Sequence, residues 1–73
     1  MDNQKLMSRR LRELVAETGK SYRKVAEEIG ITKGVLLRAA NGQAMPNSRQ
    51  LITICQFFGV SADWLLGLKE TRA

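Results

Sequence analysis

Histidine is absent from these 73 residues, and cysteine occurs once. That excludes a zinc site built from His and Cys, and it excludes a Cys–His catalytic pair. A single cysteine, Cys55, cannot close a disulfide within the chain, which fits a reducing compartment. Its place in an apolar helical stripe assigns it to the core as a structural thiol. The adjacent carboxylates Glu27 and Glu28 point in different directions on a helix and do not converge as an acid/base pair. No catalytic constellation is present, so no enzyme and no cofactor is expected. No apolar run approaches a membrane span and no secretory signal opens the chain, so cytoplasmic residence is expected, with no membrane partner. Internal repeats, low-complexity segments and linkers are also missing.

A single domain over 1–73 is expected, with an ordered core over about 4–68 and a frayed tail over 69–73. At this length helices with local contacts are favoured over a sheet-rich fold. An apolar content of 44% argues for folding rather than disorder. Twelve basic residues against seven acidic ones give a formal net charge of +5, which suits a polyanionic partner. The basic residues form no block and are interspersed with Glu, so a solubilising surface accounts for some of them.

Helical periodicity organises the chain. From about Gln4 to Glu17, the residues Met7, Leu11, Leu14, Val15 and Thr18 form one face, with Arg9, Arg10 and Arg12 off that stripe. Gly19 ends this helix. Ser21 caps a second helix that buries Val25, Ala26 and Ile29; Gly30 stops it and Ile31 closes over the end. Thr32 caps a third helix that runs to about Ala40. A loop follows from Asn41-Gly42 through Met45-Pro46, and Asn47 or Ser48 caps a fourth helix with Leu51, Ile54, Cys55 and Phe58 inward. Gly59 ends it, Ser61 caps a short fifth helix with Trp64 and Leu65 closing the core, and Gly67 ends that.

The stretch from Ser21 to Asn41 carries the strongest functional signal. Ala26 lets a second helix sit close, Gly30 makes the turn, and the large apolar Leu36 locks the two helices together. These are the requirements of a helix-turn-helix, whose second helix enters the DNA major groove. On a helical wheel Leu36, Ala39 and Ala40 share the face that must be buried. Gly34, Arg38 and Asn41 lie opposite, with Val35 beside them.

Three segments carry a family resemblance over about Gln4 to Leu68. They are Val25-Ala26-Glu27-Glu28-Ile29-Gly30-Ile31-Thr32, Asn41-Gly42 followed by Pro46, and Gly59-Val60-Ser61-Ala62-Asp63-Trp64-Leu65-Leu66-Gly67. In this order and at these intervals they resemble the phage-repressor and Cro type of DNA-binding domain, the XRE family. The resemblance implies an all-α fold of five helices of the lambda-repressor kind, with the helix-turn-helix formed by helices two and three. It also implies a homodimer on a pseudo-palindromic operator in double-stranded DNA, and repression by occluding a promoter.

On this basis Arg38 is the leading base reader, since a guanidinium donates two hydrogen bonds to guanine O6 and N7. Lys33 meets either a base or a phosphate, and Val35 packs on a thymine methyl. Gly34 sits where the family usually has a side chain; it reads nothing itself and costs roughly 1 kcal/mol of helix stability relative to alanine. The phosphate contacts fall to Ser21, Tyr22, Arg23, Thr32, Asn41, Gln43 and Arg49. Tyr22 stands where glutamine is common in the family, and Arg23 has an alternative partner in Glu27. Gln43, Ala44 and Met45 occupy a loop where relatives often carry Lys or Arg, which predicts a weaker salt dependence.

Leu65, Leu66 and Leu68 exceed what one small core needs and are candidates for a dimer contact, with core filling as the alternative. Leu37 stands at a position that is usually polar in the family, and its role is open. Some family repressors pair a first-helix Arg with a Glu near the end of the third helix. Here Val15 and Ala40 stand in those places and are expected to pack as an apolar pair. The rival functions are a restriction-gene controller or antitoxin of the same fold, and a helical protein-interaction module that does not bind DNA. No small-molecule effector site is evident.

Overall fold

A computed structural model describes residues 3–73. The described residues are all-helical: α1 (Asn3–Thr18), α2 (Tyr22–Ile29), α3 (Lys33–Ala40), α4 (Ser48–Phe58) and α5 (Ala62–Leu65). Each helix after α1 starts on a side-chain cap. The oxygens of Ser21, Thr32, Asn47 and Ser61 accept the backbone N–H of Lys24, Val35, Gln50 and Trp64. These caps satisfy amides that have no partner inside the helix. At Asn47 the exchange is reciprocal, because its own N–H donates to the Gln50 side chain at 2.9 Å. That reciprocity makes Asn47, rather than Ser48, the start of α4.

Two glycines with positive φ set the turns on either side of α3. Gly30, at φ 94°, ends α2 and lets the amide of Ile31 bond back to the Ala26 carbonyl at 3.0 Å. Gly42, at φ 74°, ends the turn after α3, where the amide of Gln43 returns to the Arg38 carbonyl at 2.9 Å.

The apolar stripes meet in one core. Met7, Leu11, Val25, Leu36, Ile54 and Leu65 are its largest fully buried side chains. α1 runs through the middle and packs against α2, α3 and α5, while α4 closes the fold against α2 and α5. The helix-turn-helix pair α2–α3 is packed as the small Ala26 allows, with that residue buried between them in the core. Val15 and Ala40 are both buried in this core. Cys55 is buried too, and burial pushes its thiol pKa up, so the neutral form is held.

One expectation is corrected. Arg10, placed off the buried stripe from sequence, is only 8% exposed. Its guanidinium donates to the Trp64 carbonyl at the end of α5 and to the Lys69 carbonyl at 3.1 Å, and it lies 4.9 Å from the centroid of the Trp64 ring. A cation there is favoured by the helix dipole and by the aromatic face together.

Over residues 69–73 the chain turns back toward the core. The Ser61 amide donates to the Arg72 carbonyl at 2.7 Å, Arg72 lies 5.0 Å from the Trp64 ring centroid, and its guanidinium forks onto Glu17 at 3.0 and 2.6 Å. Leu65 is fully buried and closes the core, the alternative to a dimer contact that its sequence position left open. Leu66 is half-buried against that core, and Leu68 is exposed.

Two outcomes follow. Leu36→Ala should destabilise the fold by about 2–5 kcal/mol, read from urea unfolding, since the pocket between α1, α2 and α3 is left partly empty. The Arg72 hydrogen bond holds the Glu17 carboxyl below its ordinary value. A carboxyl depressed in the folded state stabilises above its unfolded pKa and loses that contribution as pH falls through the depressed value. Tail docking should therefore weaken in acid below the ordinary carboxylate range, reported by Trp64 fluorescence, and Glu17→Gln should remove that acid transition.

Candidate nucleic-acid interface

α3 is built with two unlike faces. Leu36, Ala39 and Ala40 point into the core, and Lys33 and Arg38 are exposed. Gly34, Val35 and Leu37 are half-buried. The burial of one face fixes the rotation of the helix and therefore which side chains look outward.

Gly34 and Arg38 form a unit. The Arg38 guanidinium folds back along the helix over the glycine, so a Cβ at position 34 would lie 3.1 Å from Nη1 and 3.8 Å from Cζ. A side chain at 34 competes for that volume; glycine leaves the guanidinium lying flat on the helix surface.

The N-terminal end of α3 borders one groove. Thr32 and Val35 line it with Asn47, Arg49 and Gln50 from the start of α4, around a space of about 520 Å³. That Arg49 and Val35 share a groove was not legible in the chain, because they stand fourteen positions apart across the loop. The hydroxyl oxygens of Ser21 and Thr32 accept cap hydrogen bonds at 3.1 and 3.2 Å, which leaves each O–H proton to donate outward. Tyr22 is half-buried against the core and Arg23 is exposed, both in the first turn of α2.

The C-terminal end of α3 is held from α1. Gln4 donates to the Gly42 carbonyl at 3.0 Å, Ser8 to the Ala39 carbonyl at 3.0 Å, and Arg12 to the Ala40 carbonyl at 2.7 Å. Sequence reasoning missed these anchors. Their spacing of four residues along α1 is visible in the chain, but backbone carbonyls leave no trace in the residue identities. Asn41 and Gln43 are exposed just beyond these bonds.

The cations on this side are available. Among the described residues the ion pairs join Arg10 to Glu70, Lys20 to Glu28 and Arg72 to Glu17, and none involves Arg23, Lys33, Arg38 or Arg49. The alternative pairing of Arg23 with Glu27 is not formed. No group of acidic, cysteine or histidine side chains among the described residues is arranged to hold a metal ion, and no helix is long and apolar enough to cross a membrane.

A capped helix pair around a glycine turn, with unpaired cations on the outer face of its second helix, defines a helix-turn-helix of the kind that binds DNA. The family comparison agrees: a helix-turn-helix domain model matches residues 8–70, and the chain belongs to that family. No curated protein and no solved structure matches it.

Gly34→Ala should raise stability by up to about 1 kcal/mol through helix propensity, because the crowded atom is the far end of a flexible side chain. Thermal melting by circular dichroism checks this, with a fall in Tm as the contrary result.

Proposed function

We propose that this chain is a sequence-specific regulator of the phage-repressor and Cro type, binding double-stranded DNA with α3 in the major groove and repressing transcription from its operator. The observation that supports this most is the division of α3: its apolar face is wholly committed to the core, and its outer face carries two exposed cations without acidic partners among the described residues.

Within this reading Arg38 reads a guanine through its fork, Lys33 reaches a base or phosphate from the first turn of α3, and Val35 meets a thymine methyl. Gly34 contributes by leaving room for the Arg38 guanidinium. Ser21, Tyr22 and Arg23 approach one backbone strand with the amides at the start of α2. Thr32 and Arg49 approach a phosphate from the two sides of the groove they line. Asn41 and Gln43 do so from the turn after α3. The protein acts as a dimer on a pseudo-palindrome, its two copies of α3 about 34–36 Å apart. Leu68, 68% exposed, and the half-buried Leu66 are the leucines left to form the contact.

The test is Arg38→Ala against a selected operator. Binding should weaken by about 1–3 kcal/mol, with discrimination relaxed at one base position, whereas loss of a phosphate contact would weaken all sequences equally. Equal affinity of the wild type for every duplex would overturn sequence-specific regulation.

A further inference from the structure

A second groove lies at the opposite end of α3 from the one that holds Arg49. It has a volume of about 660 Å³ and runs between α1, the turn after α3 and the C-terminal segment at Gly67 and Glu70. Lys5, Arg9 and Arg12 line it from α1, and Asn41 and Gly42 line it from the turn. Spacings of four and three residues put the three cations on one face of the helix.

We propose that this groove is a further phosphate-binding site, in which Lys5, Arg9 and Arg12 hold the DNA backbone past the C-terminal end of the recognition helix. The inference rests on the DNA-binding reading above and extends its contact surface to α1.

Four observations carry it. First, Lys5, Arg9 and Arg12 are exposed and none pairs with a carboxylate among the described residues. The one carboxylate on the groove wall, Glu70, is met by Arg10 at 3.4 Å. Second, the arrangement is unfavourable for the isolated fold. Like charges four apart repel, and Lys5 stands in the first turn of α1, where the helix dipole disfavours a cation. A polyanion relieves both penalties.

Third, Arg12 is already placed. Its Nη1 donates to the Ala40 carbonyl at 2.7 Å, which sets the guanidinium beside Asn41 and leaves its other N–H groups to donate. Fourth, the row from Lys5 to Arg12 is about 10 Å long at 1.5 Å per residue, close to three axial steps of about 3.4 Å between successive phosphates on one strand. It continues directly from Asn41, the residue that ends α3.

The experiment measures binding to one fixed mixed-sequence duplex and to a selected operator over a salt series, for the wild type and for the double variant Lys5→Ala, Arg9→Ala. Neither side chain makes a hydrogen bond or ion pair among the described residues, so the fold should be retained, with circular dichroism as the control. If the groove holds phosphates, the double variant loses affinity equally on both duplexes, and the slope of log K against log salt falls by about 0.9 per lost contact, close to 2 in all. An unchanged slope, with the wild type binding and Arg38→Ala still weakening operator binding, overturns this inference and leaves the recognition helix untouched. No wild-type binding at low salt overturns both.

Discussion

The last carbonyls of α3 have no partners within that helix, and α1 together with the turn after α3 supplies them. Ser8 reaches Ala39, Arg12 reaches Ala40, and Gln4 reaches Gly42 just beyond. These three donors stand four residues apart, so one edge of α1 is bonded along the end of the recognition helix. An orphaned buried carbonyl costs about 1–3 kcal/mol, so the bonds resist any rotation or slide of α3 that would break them. The amides of Gly42 and Gln43 meet the Ala39 and Arg38 carbonyls from the other direction at 3.3 and 2.9 Å. Gly42 is also where a Cβ would come within 3.2 Å of the Ser8 hydroxyl. The position of Lys33 and Arg38 relative to the rest of the molecule depends on this junction.

α1 anchors the opposite side of the fold as well. Arg10, on another edge of the same helix, donates to the end of α5 and to the returning tail, while Glu17 receives the fork of Arg72. Trp64 lies between these attachments with both guanidinium groups near its ring. A domain this small buries limited apolar area, and tying its C-terminal segment to the central helix adds contacts that the core alone does not provide. The same helix thus holds the recognition element at one edge and the closing helix at another, and Lys5 and Arg9 continue from Arg12 beside the first.

Much of the architecture was legible in the chain because its signals are local. Ser21, Thr32 and Ser61 cap helices for the reason their hydroxyls suggest, and the apolar residues of α1 to α3 bury as their spacing requires. Gly30 turns because only glycine takes φ 94° without strain. The fate of individual long side chains was not legible in the same way. Arg10 and Arg12 are two residues apart on one helix, yet one is buried against Trp64 and the other lies at the surface on a carbonyl of α3. Arginine buries or extends according to what lies within its reach, and that depends on chain distant in sequence.

The sequence by itself determined five helices, their caps and turns, and the division of α3 into a core face and an outer face, since each rests on interactions within a few residues. Tertiary structure alone decided that Arg10 is buried against Trp64, that Arg49 joins the groove at the start of α3, and that Lys5, Arg9 and Arg12 meet Asn41 across another. These outcomes join residues far apart in the chain, and they were settled only when packing the apolar stripes together fixed the angles and offsets between helices.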